Sequence, residues 1–155
     1  MQPQALLTAE IQSSVGVELE PDVIAVEQRM MQRILKSTGD TNPRWGEEVP
    51  PAFLLTWMMS GAKMSPRLPP VLNWLMSDGE LEIVSPFIGL LDGGGEWEFL
   101  SPIRLGDIIT STMRITNIRE TTGRMGRMLI VTWERVHTNQ RGEQVAVSRG
   151  TLIGY

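Results

Sequence analysis

Within Ser37–Trp45, STGDTNPRW, an acid (Asp40) and an amide (Asn42) stand in a loop-like stretch where chemistry could be done. A carboxylate can orient and deprotonate a water, and a second group is then needed to deliver a proton to carbon. Imidazole does this near neutral pH because it both takes and gives a proton. The stretch ends instead in Trp45, whose indole N–H can donate a hydrogen bond but cannot accept or shuttle a proton. Asp and Asn beside Gly and Pro are also ordinary turn formers, because their side chains bond nearby backbone N–H groups. The chain's one histidine, His137, lies in a later, strand-like segment. Nothing in the pattern brings it to the loop, and a satisfied or surface histidine is the expectation there.

Other chemistries are narrowed by composition. With no cysteine and a single histidine, thiolate zinc sites and multi-histidine metal sites are excluded within one chain, so no metal is expected. Gly93, Gly94 and Gly95 are not a phosphate-binding loop, since no Lys-Ser/Thr follows and no helix opens after them; a bend or bulge entering a sheet is the plain reading. Pro102–Asp107 reads as a tight turn in which Arg104 is solvated or meets a phosphate. The net charge of −4 comes without a basic cluster, which argues against nucleic acid as partner. The first residues lack the pattern of a secretory signal, and no apolar run is long enough to span a membrane. The expected setting is cytoplasmic.

These residues need elements to position them. Residues 1–14 read as a loosely packed arm, and 15–155 as one domain. VGVELEP (15–21) alternates like a short half-buried strand, with 23–26 extending or following it. In EQRMMQRILKSTG, Met30, Met31, Ile34 and Leu35 recur at helical spacing opposite Arg29, Gln32, Arg33 and Lys36, so an amphipathic helix is predicted with Gly39 as its C-cap. The loop holding Asp40 follows. Residues 51–62 open on proline and are apolar all round, which marks a buried helix, and 71–76 read as a helical turn. From Gly89 the texture becomes alternating strands, the last two joined by a hairpin turn over Asn139–Gly142. The expectation is an α+β fold, a long antiparallel sheet wrapped around a central apolar helix, which is the hotdog arrangement.

Three stretches in order across residues 15–154 carry a resemblance: VEQRMMQRILKSTGDTNP, GGGEWEFLSPIRLGD and RMLIVTWERVHTNQRGEQVAVSRGTLI. The chain resembles the MaoC-like hotdog family, and within it the group of N-terminal, FAS1-like dehydratase domains. The catalytic members of that family are (R)-specific enoyl-CoA hydratases and 3-hydroxyacyl-CoA dehydratases. Their motif Asp-x-Asn-Pro-x-His falls on Asp40, Asn42 and Pro43, with Trp45 at the histidine position. General acid–base assistance is typically worth ~10² to 10⁴-fold, so the resemblance implies a vestigial or supporting role for Asp40 and Asn42. It further implies an accessory subunit that shapes an acyl pocket while a second MaoC-like hotdog supplies the acid and the histidine. Trp57, Met58, Met59, Met64 and Trp74, together with Gly93 and Gly94, are then the candidates to line the acyl or pantetheine site, although plain core packing fits the large residues equally well. The substrate would be a CoA thioester, with no cofactor. Two alternatives remain: a homodimeric hotdog that binds an acyl thioester without turnover, and a hotdog thioesterase using Asp40, Glu47 or Glu48 as base.

Overall fold

The computed structural model describes residues 5–59, 69–76 and 89–155, with the backbone alone for 56–59, 73, 74 and 76. The order of elements is α1 (Ala9–Gln12), β1 (Asp22–Ala25), α2 (Gln28–Thr38), α3 (Ala52–Met59), α4 (Pro70–Met76), β2 (Leu90–Phe99), β3 (Ile108–Gly123), β4 (Gly126–Thr138) and β5 (Gln144–Gly154). The five strands form one sheet in the order β1-β3-β4-β5-β2, every neighbouring pair antiparallel. This is the expected α+β hotdog arrangement, with the helices laid on one face of the sheet.

The alternation along β3 and β4 decides which face is covered. Ile109, Ile115, Leu129 and Val131 are fully buried, and a bulge between Ile115 and Asn117 shifts the pattern by one so that Ile118 also turns inward. Two apolar clusters result. Helices α2 and α3 give Met31, Ile34, Phe53 and Leu54 to the first, against Ile109, Val145 and Ala146 of the sheet. Helices α1 and α4 give Ile11, Val71, Leu72 and Leu75 to the second, against Ile115, Ile118, Leu129 and Val131. Helix α3 is not apolar all round in burial, since Leu55 remains 46% exposed.

Helix α2 ends as its sequence predicts, with Gly39 in the left-handed region at φ 66°, a conformation that costs glycine no Cβ clash. Two expectations for the first residues are corrected. Val15–Pro21 is not a strand. Gly16 takes φ 82°, which breaks the extended run, and Val15 and Val17 stay 40% exposed. The segment touches the sheet through single bonds, Gly16 N–H to the Ile115 carbonyl and Leu19 N–H to the Met113 carbonyl, both 2.8 Å. The strand proper is Asp22–Ala25, paired with Ile108–Ser111. The second correction is to the described part of the arm, which is packed: Thr8 caps α1, and Ile11 is 1% exposed within the second cluster.

Candidate active site

The loop that follows α2 holds its own residues in a closed set of bonds. One carboxylate oxygen of Asp40 accepts from the Asn42 backbone N–H at 3.0 Å, the turn that aspartate forms readily. The other accepts from Trp45 Nε1 at 2.7 Å. Asn42 Oδ1 accepts from the Arg44 N–H at 3.0 Å, and the Trp45 N–H bonds the Asn42 carbonyl at 3.1 Å. The Arg44 guanidinium lies 5.7 Å from the Trp45 ring centre and pairs with Glu48 at 2.6 Å. Asp40 and Asn42 are exposed and Trp45 is partly buried. The structure therefore brings Asp40, Asn42 and Trp45 together, but as donor and acceptors in a turn. An indole N–H aimed at a carboxylate fixes it without offering a proton acceptor, so this set cannot pass a proton on.

Trp45 also forms one wall of a cleft of about 210 Å³, with Val49, Phe99, Leu100 and Pro102 among the others. The cleft joins the loop to the far end of β2, and Phe99 and Leu100 are 44% and 48% exposed there. An aromatic path leads inward from it. Phe99 stacks on Trp97 at 5.9 Å between centroids, and Trp97 stacks on His137 at 5.3 Å.

His137 is fully buried on the helix-covered face of the sheet. Its Nδ1 bonds Ser111 Oγ at 2.7 Å and its Nε2 bonds Ser148 Oγ at 3.1 Å. Burial, aided by the positive charge of Arg135, pushes its pKa down to about 4, so the ring is neutral at pH 7. It shares no bond with Asp40, Asn42 or Trp45. Arg135, two residues before it on the same face, reaches Asp22 at 3.4 Å and Met113 Sδ at 3.4 Å; its Nε is buried without a partner. Ser111, Arg135, His137 and Ser148 thus form a polar band across the sheet between the two apolar clusters. Sequence reasoning missed this band, although a signal for it was present. Leu129, Val131 and Trp133 share a face, and continuing that alternation by four residues puts Arg135 and His137 on the buried side.

The remaining expected residues are placed as follows. Gly93 and Gly94 lie in a bulge of β2, where the register to β5 slips between Asp92 and Gly95. They border a broad depression of about 640 Å³ whose other walls include Thr116, Thr132, Trp133, Glu134, Arg149 and Thr151. Trp57, Met58 and Met59 fall on α3 and Trp74 on α4, but their side chains, like Met64 as a whole, lie outside the described residues. Arg104 sits in its turn with its N–H bonded to Asp107 at 2.9 Å. Asp107 is 3% exposed and also accepts from Gln140 and Arg141, each at 3.1 Å. Burial alone would raise its pKa, but these bonds to the Arg104 N–H, Gln140 and Arg141 hold it below the usual range. Among the described residues no group of three acidic or histidine side chains could hold a metal ion.

Comparison with known proteins agrees with this geometry. Residues 13–148 match the family model described as FAS1-like, dehydratase domain region. No curated protein sequence matches the chain. Among solved structures, the ChsH1-ChsH2 complex from Mycobacterium tuberculosis is similar with a TM-score of 0.70 at 15% identity, over 95% of this chain and 88% of the other. The C-terminally truncated HadBC (3R-hydroxyacyl-ACP dehydratase) complex from the same organism gives a TM-score of 0.63 at 19% identity, over 91% and 97%. The R-hydratase PhaJ1 from Pseudomonas aeruginosa gives 0.60 at 15% identity, over 90% and 81%. Identities this low speak to the fold, while the family model spans most of the sequence, and the loop, the turn at Asp107 and the hairpin turn over Asn139–Gly142 all lie inside the match. By that measure the chain belongs to the FAS1-like dehydratase region family of MaoC-like hotdog proteins.

Proposed function

We propose that this chain is the accessory hotdog subunit of a heteromeric (R)-specific enoyl-CoA hydratase or 3-hydroxyacyl-CoA dehydratase working in the cytoplasm. It shapes the acyl site while a partner hotdog supplies the aspartate and histidine. The observation that carries the reading is the 2.7 Å bond from Trp45 Nε1 to Asp40. Hydration of a 2-enoyl thioester needs water deprotonated at C3 and a proton delivered to C2, with the thioester oxygen stabilised as charge develops on it. Here the carboxylate is held by a group that can only donate, and the chain's one imidazole is sealed in the sheet between two serines.

What the chain offers instead is shape. The cleft beside Trp45 is apolar on the Phe99–Pro102 side and lies at the sheet's open end, where a second hotdog would close it. Two of the similar folds are themselves complexes, ChsH1-ChsH2 and HadBC, which supports a second hotdog as partner. The expected substrate is a CoA thioester, with no cofactor.

The test is a hydration assay with crotonyl-CoA and a bulkier enoyl-CoA, run on this protein alone and mixed with a hotdog that carries Asp-x-Asn-Pro-x-His. Turnover in the mixture only, at least ~100-fold above the protein alone, is the expected result. Full turnover by the protein alone would overturn the accessory role.

A further inference from the structure

Helix α4 opens on Pro70, with Pro69 before it. Proline suits the first helical position, where no N–H is needed. The residue ahead of it usually offers a side-chain oxygen to the N–H of the second or third helical residue, and Pro69 has no such oxygen. Here the acceptor comes from far back in the chain. Ser14 Oγ accepts from the Val71 N–H at 3.2 Å across a separation of 57 residues, and both residues are fully buried. Ser14 thus does for α4 what an N-cap does.

Ser14 belongs to a segment, residues 5–19, that is ordered by what it touches. Helix α1 has four residues, too few to hold as a helix alone. Its Ile11, with the partly buried Leu6, Leu7 and Leu19, lies in the same apolar cluster as Val71, Leu72 and Leu75 of α4. The segment meets β3 through the Gly16 and Leu19 N–H groups and an isolated bridge between Glu18 and Arg114. At Gly16 the chain turns in the left-handed region, where an added Cβ would meet nothing within 4 Å.

One carboxylate fastens the other end. Glu120 Oε2 on β3 accepts from the Leu6 and Leu7 N–H groups, each at 3.0 Å, and Oε1 accepts from Arg127 Nε at 2.7 Å. These bonds, that of the Leu7 N–H foremost, hold the carboxyl below the usual carboxylate range, so it is ionised at neutral pH. A charged acceptor makes each of them stronger than a neutral one would. By contrast β3 and β4 pair residue by residue along a ladder from Thr110 to Gly123. Short pieces held by a few bonds open at lower free energy than such a ladder.

We propose that residues 5–19 form a strap that closes over the second apolar cluster together with α4, as one cooperative unit. Glu120 is the latch, Gly16 the hinge, and Ser14 the cap through which the strap holds α4 in place. When the latch lets go, strap and α4 lift together and uncover Ile115, Leu129 and Val131 of the sheet. The device is independent of the accessory-subunit reading.

The test is native-state hydrogen exchange on the whole chain, read by NMR in the native protein and in S14A, E120A and G16A. In the native protein the α1 and α4 amides are expected to share one opening, with a smaller denaturant dependence than the β4 and β5 amides. E120A removes bonds to the strap and to Arg127, yet exchange is expected to rise about tenfold in α4 as well as in α1, while β4 and β5 change by less than about twofold. S14A is expected to raise exchange in both helices about fivefold. G16A strains the turn without a clash and is expected to move both helices in the same direction; it and S14A carry the test should E120A fail to fold. Separate openings for the two helices in the native protein, α4 unmoved by E120A, or α1 unmoved by S14A would overturn the proposal. So would an equal rise in every strand, which is a global loss of stability.

Discussion

At the scale of single residues, the resemblance implies an imidazole where this chain has the indole of Trp45. Trp45 closes the loop by donating to Asp40, a bond that offers no acceptor through which a proton could be relayed. In the proposed assembly with a partner hotdog, Asp40→Ala is expected to leave hydration within about twofold of the parent, because a carboxylate with no proton relay contributes little to acid–base assistance. A loss of a hundredfold or more with assembly intact, read by steady-state kinetics and sedimentation together, would place Asp40 in the chemistry. Trp45→His alone is expected to restore little, since the rest of the site would also have to be in place.

His137 makes a second residue-scale prediction. Its folded pKa of about 4 lies below the ordinary 6.5, so the unfolded chain binds the proton more readily than the native one. The stabilisation from keeping the ring neutral is therefore complete above about pH 6.5 and is lost as pH falls toward 4, amounting to about 3 kcal/mol across that window. Because the chain has one histidine, its imidazole resonances are unambiguous in an NMR titration. A midpoint near 6.5 would mean the ring is not sealed.

At the scale of elements, the motif residues outside the loop turn out to be joints. Asp107 ties the turn before β3 to the hairpin between β4 and β5 through Gln140 and Arg141. Within that hairpin, Asn139 accepts from the Arg141 and Glu143 N–H groups at 3.0 and 3.1 Å, and Gly142 takes φ 78°. The resemblance carried by Gly106-Asp107 and by Asn139–Glu143 thus has a structural cause. Asp107→Ala is expected to cost about 1–3 kcal/mol, because it removes the hydrogen bonds that a buried carboxylate accepts from the Arg104 N–H, Gln140 and Arg141, and a urea unfolding curve measures it. A change below about 0.5 kcal/mol would mean water replaces the carboxylate. Strand periodicity and the cap of α2 were legible because they are local: an alternation of two, a spacing of three and four, a glycine at the end. Val15–Pro21 misled because three apolar residues at period two read the same whether or not Gly16 turns the chain between them. Helix α1 was missed because four residues carry too little periodicity.

At the scale of the whole molecule, the hotdog sheet presents the loop and the cleft beside Trp45 at one end, and the hydration experiment belongs here because it depends on what closes that end. No helix among the described residues is long and apolar enough to cross a membrane. The amino-acid sequence by itself determined the class of fold and the family resemblance, since these rest on residue types and spacings along the chain. Only the tertiary structure decided that Trp45 donates to Asp40 and that Arg135 and His137 form a polar band between two apolar clusters. Each of those facts is a distance between residues that the sequence separates, and such distances are set by how the sheet and helices pack.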